Sequence, residues 1–126
     1  MTGLTELDEI LRTLSPSVRA GAFVYVVTDL PLPSHASVVE REGGSLVVEQ
    51  AVADEAGLDY ESTFAWITLQ VRSSLQAVGL TAAVSSALAE KGVPCNMLAG
   101  YHHDHILVPS DRVVDALAVL QALSQR

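Results

Sequence analysis

Cysteine occurs once in this 126-residue chain, at Cys95, which excludes an intrachain disulfide and, by the usual link between disulfides and oxidising compartments, favours the cytoplasm. Bases are scarce too. Seven Lys and Arg against fifteen Asp and Glu leave a net charge of -8, which repels phosphate backbones and anionic lipid, so neither nucleic acid nor a membrane surface is an expected partner. No stretch approaches the ~20 apolar residues of a spanning helix, and MTGLTELDEILRTL lacks the positive flank and apolar run of a secretory signal. Aromatics number only six, yet 49% of the chain is hydrophobic, largely Val, Leu and Ala. That composition describes a mixed α/β fold whose length suffices for a core without staples.

Periodicity then divides the chain. Leu4, Leu7, Ile10, Leu11 and Leu14 recur at helical spacing, Thr5 and Asp8 form a capping-box pattern, and Ser15-Pro16 ends it. AFVYVVT (22–28) reads as a strand and DLPLPS (29–34) as a loop, because two prolines cannot join a sheet ladder. ASVVERE (36–42) and SLVVEQ (45–50) flank Gly43-Gly44, which predicts a hairpin whose tight turn uses the positive φ of glycine. A short helix over 51–56 should end at Gly57, with DYEST (59–63) as a link.

The second half predicts strand 64–71, helix 80–91 closed by Gly92, strands 95–101 and 105–109, and a last helix with Ser110 as its N-cap. Val113, Leu117, Leu120 and Leu123 should form the buried stripe of that helix. Strand, helix, strand, strand, helix is most of a ferredoxin-like unit, an α+β fold with helices on one face of an antiparallel sheet.

Two features carry chemistry. His102-His103-Asp104-His105 suggests a metal or acid-base site, but alternation along a strand gives His103 and His105 one side and His102 and Asp104 the other. At most two ligands would converge, and a third must come from His35, Cys95 or a carboxylate at no telling spacing. No metal or cofactor is therefore expected. Ser73-Ser74 and Cys95 sit in nothing like a nucleophile elbow. The other feature is Gly79, which directly precedes a helix whose first amides could receive a carboxylate or phosphate.

The run SSLQAVGLTAAVSSALAEKGVPCNMLAGYHHDHILVPSDRVVDALAVLQAL resembles ACT domains, the small-molecule-sensing modules of aspartokinases and related enzymes. The whole chain, with its acidic strand-and-turn EREGGSLVV, is similar to small stand-alone proteins with two ACT-like halves side by side, here 1–60 (incomplete) and 61–126. The resemblance implies a non-enzymatic regulatory or sensor protein that binds an effector, commonly an amino acid, where units meet. By position it implies Val78, Gly79 and Leu80 as backbone donors, Asn96 as a side-chain contact, and His102, His103 and Asp104 in a turn facing the ligand or a partner unit. An amide-rich helix start suits a carboxylate and Asp104 an amino group. Six strands are countable where two full units need eight, so either AFVYVVT (22–28) adds an edge to the second-half sheet or a second chain completes the structure, and a homodimer is expected in either case. The competing readings are a metal-binding protein or metal-dependent enzyme centred on His102–His105, and a purely structural dimerisation module.

Overall fold

The computed structural model describes residues 6–71 and 79–125. Its strands are β1 (Ser15–Val18), β2 (Phe23–Val27), β3 (Ala36–Glu40), β4 (Gly43–Glu49), β5 (Phe64–Gln70), β6 (Asn96–Ala99) and β7 (Asp104–Pro109). The helices are α1 (Glu6–Arg12), α2 (Gln50–Ala56), α3 (Leu80–Glu90) and α4 (Val113–Ser124), the last entered through a 3-10 turn, Ser110–Arg112. All seven strands join one antiparallel sheet of order β3-β4-β2-β5-β7-β6, with β1 also on β5.

Residues paired across an antiparallel ladder share a face, and neighbours alternate. Phe23 pairs with Phe64, so Val24 and Val26 lie on the same side as Ala65, Ile67 and Leu69. That side carries every helix. Ile67, Leu69, Ile106 and Val108 pack with Ile10, Leu11 and Leu14, with Leu80, Val84 and Leu88, and with Ala116, Leu120 and Leu123. Val24, Val26 and Val48 pack with Ala53 of α2. Val113 and Leu117 sit only at the margin of the core, and Ala116 takes the deeper position on α4.

Each half of the sheet has ferredoxin-like strand order, giving two ACT-like units side by side. The second is β6-β7-β5-β1, in which β1 stands beside β5 as the fourth strand. The sequence reading missed β1, because SPSV is polar and exposed and Pro16 resembles a simple helix stop. The described residues thus hold seven strands instead of six. The first unit is β3-β4-β2 with α2, and a loop containing Pro31 and Pro33 fills the place of a first helix.

Between the Arg19 N to Trp66 O bond (2.9 Å) and the Phe23–Phe64 pair, the β1–β2 side carries two more residues than β5. This bulge turns the strand away from β5, so β2 meets β5 only at Phe23 and continues onto β4. Ladder pairing between β2 and β5 is therefore confined to one residue pair.

Two local expectations need correction. The β3–β4 turn is Arg41-Glu42, and Gly43-Gly44 open β4 with Gly43 opposite Glu40. Gly43 still takes the positive angle, φ 135°, while Gly44 is needed for close approach: a Cβ there would lie 3.0 Å from the Thr28 carbonyl oxygen. Ser110 does not cap α4 with its side chain; its Oγ is buried and has no hydrogen-bond partner. Arg112 instead closes the end of α3, donating to the Gly92 and Lys91 carbonyls at 3.0 and 3.1 Å while Nε holds Asp115 at 2.8 Å.

Candidate functional site

Val78 lies outside the described residues. Gly79, at φ 95°, is the N-cap of α3, and neither a side-chain cap nor a first-turn acid serves the helix start. Its first helical bond runs from Ala83 N to Gly79 O at 2.8 Å, which leaves the earlier amides without an intrahelical partner. Leu80 points inward and is buried in the core, so only its backbone is available to a ligand. Leu7 of α1 lies against Gly79, and a groove of about 710 Å³ runs from there between α3 and α4.

His102 and His103 are exposed in the β6–β7 turn, which a Gly100 N to His103 O bond of 2.9 Å closes. Asp104 opens β7 opposite Leu69, near the end of β5. Because Leu69 faces the helices, Asp104 lies on the helix side, at the end of the sheet where β5 leaves towards α3. Asn96 pairs with Leu107 and faces the other way. The structure thus keeps His102 and His103 in the turn but makes Asp104 the first residue of β7, paired within the sheet and on the side of α3, while Asn96 lies across the sheet.

The helix-free face holds a polar-aromatic cluster that sequence reasoning did not find. Trp66, 2% exposed, packs with Phe23, Val47 and Leu107. The Arg19 guanidinium lies 4.2 Å over the Trp66 ring and donates to His35 Nδ1 at 2.8 Å, and His35 Nε2 stands 3.7 Å from Glu49. His105 flanks Trp66 on another side, with ring centres 5.2 Å apart. Its Nδ1 accepts from Trp66 Nε1 at 3.3 Å and lies 3.0 Å from Thr68 Oγ1. An Nδ1 that accepts from indole must be unprotonated, which makes neutral His105 the Nε2–H tautomer. Burial, then the positive charge of Arg19, then His103, hold its pKa below the usual 6.5, against a smaller upward pull from Asp104.

Sequence alternation did put His103 and His105 on one side, and their rings stand 6.5 Å apart. It could not reveal Trp66 and Thr68 as neighbours, because that follows from the register of β5 against β7. Among the described residues, no three His, Cys, Asp or Glu side chains gather as a metal ion would need. Burial raises the pKa of Cys95, so its thiol is not activated. No helix among the described residues is long and apolar enough to cross a membrane.

A cleft of about 660 Å³ opens where the units separate, between Tyr25–Val27 of β2 and the chain from Gly57 to Ser62. Tyr25 and Phe64 form an edge-to-face pair at 5.5 Å on its wall. Burial pushes the Tyr25 phenol above its usual range, so it stays protonated at neutral pH.

Two ferredoxin-like units fused through one sheet, with all helices on one side, define a tandem-module class of α+β fold. The chain belongs to the ACT domain family, which matches residues 2–65 and again residues 61–122. A solved protein of unknown function from Vibrio cholerae, described as a possible transport protein, is 39% identical over 94% of this chain and 95% of that chain, with a TM-score of 0.86. The fold is shared by a putative C-terminal regulatory domain of aspartate kinase from Porphyromonas gingivalis, at 16% identity, 90% and 98% coverage and TM-score 0.63. It is also shared by the ligand-free regulatory subunit of aspartate kinase from Thermus thermophilus, at 11% identity, 88% and 98% coverage and TM-score 0.59. Among curated proteins none matches this chain.

Proposed function

We propose that this chain is a cytoplasmic, non-enzymatic ACT-type regulatory protein that binds a free amino acid at the start of α3 and acts as a homodimer. The observation that carries the reading is the uncapped α3 terminus at Gly79, on the same side and towards the same end of the sheet as Asp104. Helix-terminal amides at Gly79 and Leu80 receive the carboxylate, and Asp104 receives the ammonium. His102 and His103 border the ligand from the turn. Asn96, on the far side of the sheet, contributes from a facing unit or not at all. The regulatory aspartate kinase neighbours support the class of function, and the chain's division near residue 60 into two ACT-like halves belongs to the same reading. Among the described residues no strand pairs with the outer edge of β3, which offers the dimer contact, with Val38 and Val39 exposed there.

Thermal-shift measurement against the twenty amino acids tests it. A ligand at 100 times its Kd should add about 2.7 kcal/mol of stability. The shift should vanish in Asp104→Ala with the fold intact by circular dichroism. Absence of any shift with all twenty would overturn the assignment.

A further inference from the structure

The cleft between the units exists because a ladder that could continue does not. Extending the Phe23–Phe64 register would set Ser62 against Tyr25 and Tyr60 against Val27. Instead Tyr60 is drawn onto α2: its hydroxyl accepts from Gln50 Nε2 at 2.9 Å and donates to Asp54 Oδ1 at 2.8 Å. Leu58 N also donates to Ala53 O at 3.0 Å. The segment is pulled off the sheet edge, and the 660 Å³ space opens in its place.

The phase of the β2–β4 ladder dictates what that edge presents. Ala22 O accepts from Gln50 N at 2.9 Å and Thr28 N donates to Gly44 O at 3.0 Å, so even-numbered residues of β2 turn their main-chain groups to β4. The N–H and C=O groups of Tyr25 and Val27 consequently turn to the cleft. Around them stand the rings of Tyr25, Tyr60 and Phe64 and the exposed carboxylates of Asp59 and Glu61. Among the described residues no Lys or Arg lines the cleft or pairs with either carboxylate.

An open strand edge can bind a molecule with its own amide-like donors and acceptors, and aromatic faces attract cations. Two unpaired carboxylates and a net charge of -8 repel anions and concentrate cations at this mouth. We propose that the cleft binds a small molecule of net positive charge whose aliphatic stem ends in a primary ammonium or guanidinium group. The cation meets Asp59 and Glu61, the aliphatic stem lies on Tyr25 and Phe64, and further polar groups bond the Tyr25–Val27 edge. This site is separate from the start of α3 and stands without it.

The test titrates the full chain with lysine, arginine, agmatine and cadaverine, using norleucine as a neutral control of similar length, and follows backbone amide shifts by NMR. At least one cationic probe should perturb Tyr25, Val27 and Phe64, and norleucine should bind about tenfold more weakly or less. Asp59→Asn with Glu61→Gln should weaken the cation about tenfold without altering the amide spectrum of the core, whereas Asp104→Ala should leave it unchanged. The proposal fails if no cationic probe moves these amides at about 10 mM. It fails equally if the double variant binds as wild type does, or if Asp104→Ala alone abolishes binding, which would assign the ligand to α3.

Discussion

His105 illustrates how one side chain's protonation state is fixed by partners from another strand. Its Nδ1 faces the Trp66 indole N–H and the Thr68 hydroxyl, and a proton on that nitrogen would break the first bond and oppose the nearby Arg19. The folded chain therefore resists protonating His105, while the unfolded chain takes up the proton near pH 6.5. The stabilisation is fully present above that pH and is lost as pH falls through the lower folded-state value. Thermal melts between pH 7.5 and 5 (about the range over which imidazole titrates) should show wild type losing stability faster than His105→Gln, which keeps an acceptor but cannot titrate. Parallel pH profiles would remove the linkage. In sequence, the crowding of His102 to His105 draws the eye to the exposed pair. The isolated Trp66 and Thr68, thirty-seven or more positions away, are what give His105 its surroundings. Alternation within a strand was legible, but the pairing between strands was not.

At the scale of elements, local patterns located both hairpins and the helices of the second half, and failed where a tertiary neighbour sets the local rule. Gly43-Gly44 has the composition of a hairpin turn, yet the turn falls two residues earlier and Gly44 serves the approach of β4 to Thr28 of the neighbouring strand end. Nothing in the residues around it announces that neighbour. Gly44→Val should force the two backbones apart and destabilise the protein by about 1–3 kcal/mol, as overpacking in a filled site does. Chemical denaturation measures this, and a change under about 0.5 kcal/mol, the usual surface value, would show that the approach is relaxed easily. The α3 entry was legible for a different reason: a glycine before an apolar helical pattern is a local signal, and the left-handed Gly79 is its direct expression. That Asp104 lies on the helix side of the sheet required the Leu69 pairing.

The whole molecule is less divisible than its two family matches at 2–65 and 61–122 suggest. α1 and β1 come from the start of the chain, but Ile10, Leu11 and Leu14 are buried against α3, α4 and the β5–β7 surface, and Ser15–Val18 pair with Ile67–Gln70. The second unit's fourth strand therefore arrives from before the first unit begins. Burying an aliphatic side chain is worth about 2 kcal/mol, so three of them supply about 6 kcal/mol, comparable with the total stability of an ordinary domain. Removal of residues 1–18 should consequently leave the second unit without a cooperative unfolding transition, and with it the α3 entry and the β6–β7 turn. Adding residues 1–18 back as a separate peptide at high concentration should restore part of the native near-ultraviolet signal, because α1 and β1 dock mainly through that core. A truncated chain that still melted cooperatively near the wild-type temperature would mean that β5, β6, β7, α3 and α4 hold together unaided. The N-terminal segment would then be a lid on a finished unit and not its missing strand.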